Sequence, residues 1–276
     1  MVTDSACSLP AELVAAHGIV VVPMWVTVGG HQYADGELSP SDVARRAWEG
    51  LSTSCPAPGQ LAEAFDAADR GDGVVALTVS ARMSGVFEAA RLAAGLARPH
   101  VQVVDTGTAA GAEGLVVLAA ARAAASGLSL EEVVAAARAA AASARLVATV
   151  PSLEHLARSG RVPAIAASGA RWLGLAPLFE FRQGRAVPLR PGHGRQGALA
   201  RMVAAWDRDA RQRERPPGER LHIAGLHAMD RPAAEELVER VSARVRPATA
   251  FIGDFSSVMV AHTGPGLAGL AWSWGP

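Results

Sequence analysis

The sequence predicts an α/β protein of two domains. Residues 1–150 read as an α/β/α domain on a parallel sheet, and residues 151–276 as an α+β domain with a mixed sheet. Three observations carry this. The first half alternates short apolar runs with stretches whose apolar residues recur every three or four positions, the pattern of strands covered on both faces by intervening helices. A β-type run, Arg145 to Val150, closes on Pro151, where the character of the chain changes. Beyond it come a glycine- and proline-punctuated stretch, a hairpin pattern and separated helices. At 276 residues, half of them apolar, the chain can bury two cores.

In order, the strand signals of the first half are Ile19 to Val28, interrupted by Pro23, then Val74 to Val79, and Val101 to Val104 closing on Asp105. Ser41 to Gly50, Gln60 to Asp69 and Gly85 to Ala97 carry helical spacing between them. Two alanine-rich helices follow, Gly111 to Ala125 and Leu130 to Ala142, the second with Ser129 as N-cap ahead of Glu131 and Glu132. In the second half, Ser159 to Gly174 leads to a hairpin of Ala176 to Phe181 and Ala186 to Leu189 about the turn Gln183-Gly184. A helix from Gln196 to Arg211, an arginine- and proline-rich loop, a strand at Leu221 to Leu226, a helix at Pro232 to Arg244 and a strand at Ser257 to Ala261 complete the reading. The loop from Arg211 to Arg220 alternates its arginines with Glu214, prolines and a glycine, and reads as a solvated linker before an interaction surface.

Composition excludes several chemistries. The formal charge is +0 and the pI near 7.1, so no general attraction to nucleic acid is built in. The chain contains no lysine and no asparagine. Schiff-base chemistry and a phosphate-binding lysine of the Walker type are therefore absent. Cys7 and Cys55 form no CxxC and no Cys/His cluster, so neither zinc nor a disulfide framework is indicated. Apolar stretches such as Gly114 to Ala121 are too short to span a bilayer and no charged leader precedes one, so the expected location is the cytoplasm.

Chemistry-bearing residues gather at strand ends. In TVSARMSGVF, Ser80 and the pair Ser84-Gly85 follow an apolar run and precede a helix, a place for a nucleophile, an anion cradle or a head-group contact. The chain lacks G-x-S-x-G. A hydrolase or acyltransferase reading would use Ser80 or Ser84 with His262 as base. Asp4, Asp35 and Asp105 fall near strand ends and read as caps before they read as cation ligands. Thr53 and Ser54, ahead of Cys55-Pro56, resemble a helix N-cap whose threonine also faces a ligand. His262, beside Thr263 and Gly264-Pro265-Gly266 at an expected strand end, can donate to a carboxylate or act as a base. His193 and Arg195 occupy a similar polar turn.

Read together, Val2-Thr3-Asp4-Ser5, Thr53-Ser54-Cys55-Pro56, Ser80-x-x-x-Ser84-Gly85, Val104-Asp105, Ser159-Gly160-Arg161 and His262-Thr263-Gly264-Pro265-Gly266 occur in an order and spacing that resembles the DegV family of bacterial fatty-acid-binding proteins, over essentially the whole chain. The resemblance implies a two-domain DegV-like fold in which a long-chain fatty acid lies in an apolar tunnel with its carboxylate at the domain interface. It implies presentation of that carboxylate to a partner fatty-acid kinase, which makes an acyl phosphate. The chain itself would then be a lipid-binding protein, with no cofactor beyond its bound fatty acid, no metal, no nucleic acid and transient membrane contact allowed. By the same resemblance the carboxylate would be held by Thr53, Ser80, Ser84, Gly85, His262 and Thr263, with Arg195 in the place of the family arginine ahead of Arg190 and His193. Arg161 would be structural or partner-facing. Val86 and Cys55-Pro56-Ala57 depart from the family pattern, which carries a threonine after Ser-Gly and reads T-S-Q-P-S.

Overall fold

The computed structural model describes residues 1–96, 100–160, 175–214 and 216–276. A four-stranded parallel sheet forms first, in the order β2-β1-β6-β7, from β1 (Val2–Asp4), β2 (Val20–Val22), β6 (Val74–Thr78) and β7 (Val101–Asp105). Every residue of β6 is buried, as a parallel strand covered on both faces requires. On one face lie α3 (Pro58–Ala68) and α4 (Val86–Gly95), which bury Leu61, Phe65, Ala90 and Ala93. On the other lie α5 (Ala110–Ala125) and α6 (Leu130–Ser143). A small antiparallel sheet, β4-β3-β5, is inserted between β2 and β6 from β3 (Trp25–Val28), β4 (His31–Ala34) and β5 (Leu51–Ser54). The short helix α1 (Ala11–Ala16) precedes β2, and α2 (Pro40–Arg45) connects β4 to β5.

The second sheet has six strands in the order β10-β9-β8-β13-β11-β12. They are β8 (Arg145–Thr149), β9 (Leu175–Arg182), β10 (Arg185–His193), β11 (Arg220–His227), β12 (Thr249–Asp254) and β13 (Ala268–Gly275). Only β11 and β12 pair in parallel, so the sheet is mixed. The chain thus changes sheets between β7 and β8. Helices α8 (Gly194–Gln212) and α9 (Arg231–Ser242) cover one face of the second sheet and α5 and α6 the other, so α5 and α6 lie between the two sheets. This position explains why α5 is buried on all sides over Ala110 to Leu118, with Glu113 the charged residue among them. Its approach is close enough that a Cβ on Gly114 would stand 2.6 Å from the Cys7 carbonyl oxygen, in the turn after β1. Among the described residues, the remaining α-helices are α7 (Glu154–Ser159) and α10 (Ser257–Thr263).

Two expectations are corrected. Ser257 to Ala261 is the body of α10, where the helical turn sends the buried Val258 and Val260 into two different apolar clusters. Thr53 and Ser54 end β5, paired to Val26 and Trp25, and α3 begins instead after Ala57 with Pro58 in its first turn. The antiparallel sheet, β12 and β13 were not anticipated. Ser129 caps α6 through Glu132 N–H as expected. The stretch from Arg161 to Gly174 lies outside the described residues.

Candidate functional site

The loops leaving the carboxyl ends of β1, β6 and β7 are held by carboxylates. Asp4 accepts from Ala6 N–H at 3.0 Å and Val79 N–H at 2.8 Å. Asp105 accepts from Ala81 N–H at 3.2 Å and Gly107 N–H at 2.8 Å. Asp35 accepts from the hydroxyls of Ser5 and Ser257, each at 2.6 Å, and from Val258 N–H at 3.2 Å, tying the small sheet to α10. Each aspartate is a staple, and among the described residues no group of three or more His, Cys, Asp or Glu side chains converges as a metal site would require.

At these strand ends, where open parallel sheets bind ligands, a cavity of about 560 Å³ opens. The first sheet and its loops contribute Ala6, Met24, Val79, Ala109 and Ala110; the second contributes Leu146, Ala148, Phe179 and Phe181. Phe255, Val258, Met259 and His262, from α10 and the residue ahead of its N-cap, form a third wall. Most of this surface is apolar. Its hydroxyls and imidazole come from Thr53, Ser54, Ser84, Ser159, His262 and Thr263.

Thr53 and His262 meet directly, Oγ1 to Nε2 at 2.8 Å. They and Ser159 also border a second cavity of about 480 Å³, so these groups stand between the apolar space and a polar vestibule. The vestibule adds His155 and Arg158 from α7. Burial, with Arg158 nearby, lowers the His155 pKa.

Of the residues expected to gather, Thr53, Ser84, Gly85, His262 and Thr263 line the apolar cavity. The Thr263 hydroxyl is engaged locally, donating to the Met259 and Gly264 carbonyls, each at 3.1 Å. Ser80 is 1% exposed and, unlike Ser84, does not border the cavity. Its N–H donates to the Thr108 carbonyl at 2.8 Å and its hydroxyl accepts from Arg82 N–H at 3.3 Å. The β9–β10 turn closes over it, where Gly184 has φ +70° and a Cβ would overlap the Ser80 hydroxyl. Gly184 N–H in turn reaches the Gly107 carbonyl at 2.6 Å, locking hairpin to loop. A nucleophilic Ser80 is incompatible with this setting.

Arg195 is placed elsewhere as well. At the start of α8 it forms a forked pair with Asp230, at 2.7 and 3.1 Å, and neither it, Arg190 nor His193 lines the cavity. Among the described residues, the cation that does line it is Arg82, within TVSARMSGVF itself. Sequence reasoning weighed the two serines of that stretch and passed over the arginine between them, although a basic residue in a loop after a buried strand was the available signal.

Beneath the site lies a fully buried carboxyl, Glu113 on α5, which accepts from the Thr3 hydroxyl at 3.3 Å. Burial first, and the neighbouring Asp4 second, push its pKa well above the usual range. Burial likewise raises Asp4 to about 6, against the lowering effect of its two backbone donors.

The model of a family described as uncharacterised proteins of the DegV type matches residues 1–274. A DegV domain-containing protein of Streptomyces coelicolor is 36% identical over 281 residues, covering 99% of this chain and 97% of that protein. A solved DegV family protein from Thermus thermophilus, described for its fatty acid binding, has a TM-score of 0.89 at 30% identity, over 99% of this chain and 98% of its own. DegV from Bacillus subtilis, described as a fatty acid binding protein, has a TM-score of 0.84 at 26% identity, with coverage of 99% and 98%.

Proposed function

The chain belongs to the DegV family, and we propose that it is a carrier that binds a long-chain fatty acid and presents its carboxylate to a partner kinase for acyl-phosphate formation. The observation that carries this reading is the pairing of an apolar cavity of about 560 Å³ with the Thr53–His262 contact at its border with a polar vestibule. That volume falls within the range of small-ligand sites, about 300–1,000 Å³. Binding energy would come mostly from the tail. Each buried methylene contributes about 0.8 kcal/mol, so roughly fourteen methylenes of a C16 chain offer on the order of 11 kcal/mol before ordering costs.

The head group needs few donors. The Thr53 hydroxyl, the His262 imidazole, Ser84 and Arg82 surround the polar part of the cavity and would orient a carboxylate without enclosing it. A phosphoryl donor would reach it through the vestibule. In this reading the chain supplies no nucleophile and uses no cofactor other than the fatty acid, and the carrier works in the cytoplasm. Equilibrium titration with palmitate and with its methyl ester tests carboxylate recognition. The acid is expected to bind more tightly, and equal affinities would contradict the assignment.

A further inference from the structure

A third cavity, of about 520 Å³, lies behind one wall of the apolar cavity. Two short segments make that wall, and their residues face alternate sides. Ala6 lines the apolar cavity while Ser5 and Cys7 line the other; Val258 lines the apolar cavity while Ser257 lines the other. Phe255 lines both. It is 4% exposed, and its N–H donates to the His227 carbonyl at 2.8 Å, which anchors the base of the ring just beyond the end of β12.

We propose that Phe255 is the partition that sets which acyl chains fit, by closing the apolar cavity off from the space behind it; this rests on the fatty-acid reading above. Phe255, Val258, Met259 and His262 are spaced as one helical face, and all four border the apolar cavity. Phe255 stands ahead of the N-cap of α10 and His262 in its last turn, so the ring and the imidazole mark opposite ends of this wall. Beyond the ring, Leu9, Val21, Leu38 and Met229 offer further apolar surface. A chain that outgrows the first cavity can use that surface only when the ring is removed.

The test compares wild type with Phe255→Ala and Phe255→Trp in binding two series of equal lengths, saturated fatty acids and the corresponding n-alkanols. Phe255→Ala is expected to move the preferred length upward in both series, by about fourfold in affinity for each methylene newly buried. Phe255→Trp is expected to move it downward. Phe255→Leu, which keeps most of the core contact, gives a smaller upward shift should the alanine variant not fold. An unchanged length preference in every folded variant overturns the partition. Should acids and alkanols bind wild type equally, the head-group reading fails, while a length shift among the alkanols still supports the partition.

Discussion

Thr53 Oγ1 lies 2.8 Å from His262 Nε2, a contact between residues 209 positions apart in the chain. It joins the last residues of an edge strand in the small sheet to the final turn of α10, where the apolar cavity meets the vestibule. Thr53→Val keeps the β-branched shape and removes the hydroxyl. A hydrogen bond to a charged group is worth about 1.5–3 kcal/mol, so palmitate affinity should fall by roughly ten- to 150-fold. Thr53→Ser should stay near wild type. Calorimetric titration reads both, and an unaffected Thr53→Val would remove threonine from the head-group site.

The two serines of TVSARMSGVF separate by the same reasoning. Ser80 does not border the cavity and accepts from Arg82 N–H, whereas Ser84 borders it. Ser80→Ala should lower the urea unfolding midpoint, by about 1 kcal/mol in stability, with little change in palmitate affinity. Ser84→Ala should weaken binding with little change in the midpoint. The reverse pattern would return Ser80 to the site.

A charge exchange distinguishes Arg82 from Arg195. Arg82→Ala should weaken palmitate binding and reduce its dependence on ionic strength, because a cation on the cavity wall is removed. Arg195→Ala should do neither. Its partner is the half-buried Asp230 in a surface pair worth about 0–1 kcal/mol to stability. Titration at low and high salt decides between them.

How much of this was legible follows from which forces shape each element. The parallel core shows in sequence because Val74 to Thr78 is buried on both faces and so reads as an unbroken apolar run. Ser129 announces α6 because a capping box is a local device. Ser257 to Ala261 misleads because a short apolar run fits strand and helix equally, and only its packing against the core selects α10. Thr53 lines the apolar cavity from a strand whose partner β3 is set by a long-range pairing that no local motif announces. Ser80 and Arg195 are both turned away from the cavity lining. A motif places a residue near a site, while the side chain's direction depends on distant partners, here the Gly184 turn and Asp230.

The buried carboxyls give a pH dependence with a definite sign. Asp4 has a folded pKa of about 6 against an ordinary 3.8, and Glu113 is raised well above 4.5. Groups raised in the fold contribute stability that is present below their unfolded values and is lost as pH rises through the folded ones. Glu113→Gln keeps an acceptor for Thr3 and cannot ionise. Its stability relative to wild type should therefore increase between pH 5 and pH 8, read from urea midpoints at each pH. A difference that stays constant would mean that the Glu113 carboxyl is not raised in the fold.

The carrier assignment is tested most directly by what the purified protein holds. Denaturing solvent extraction of protein made in a lipid-containing host, followed by mass spectrometry, should release close to one equivalent of long-chain fatty acid per chain. A protein that yields none, and that also fails to take up added palmitate or oleate, would contradict the account.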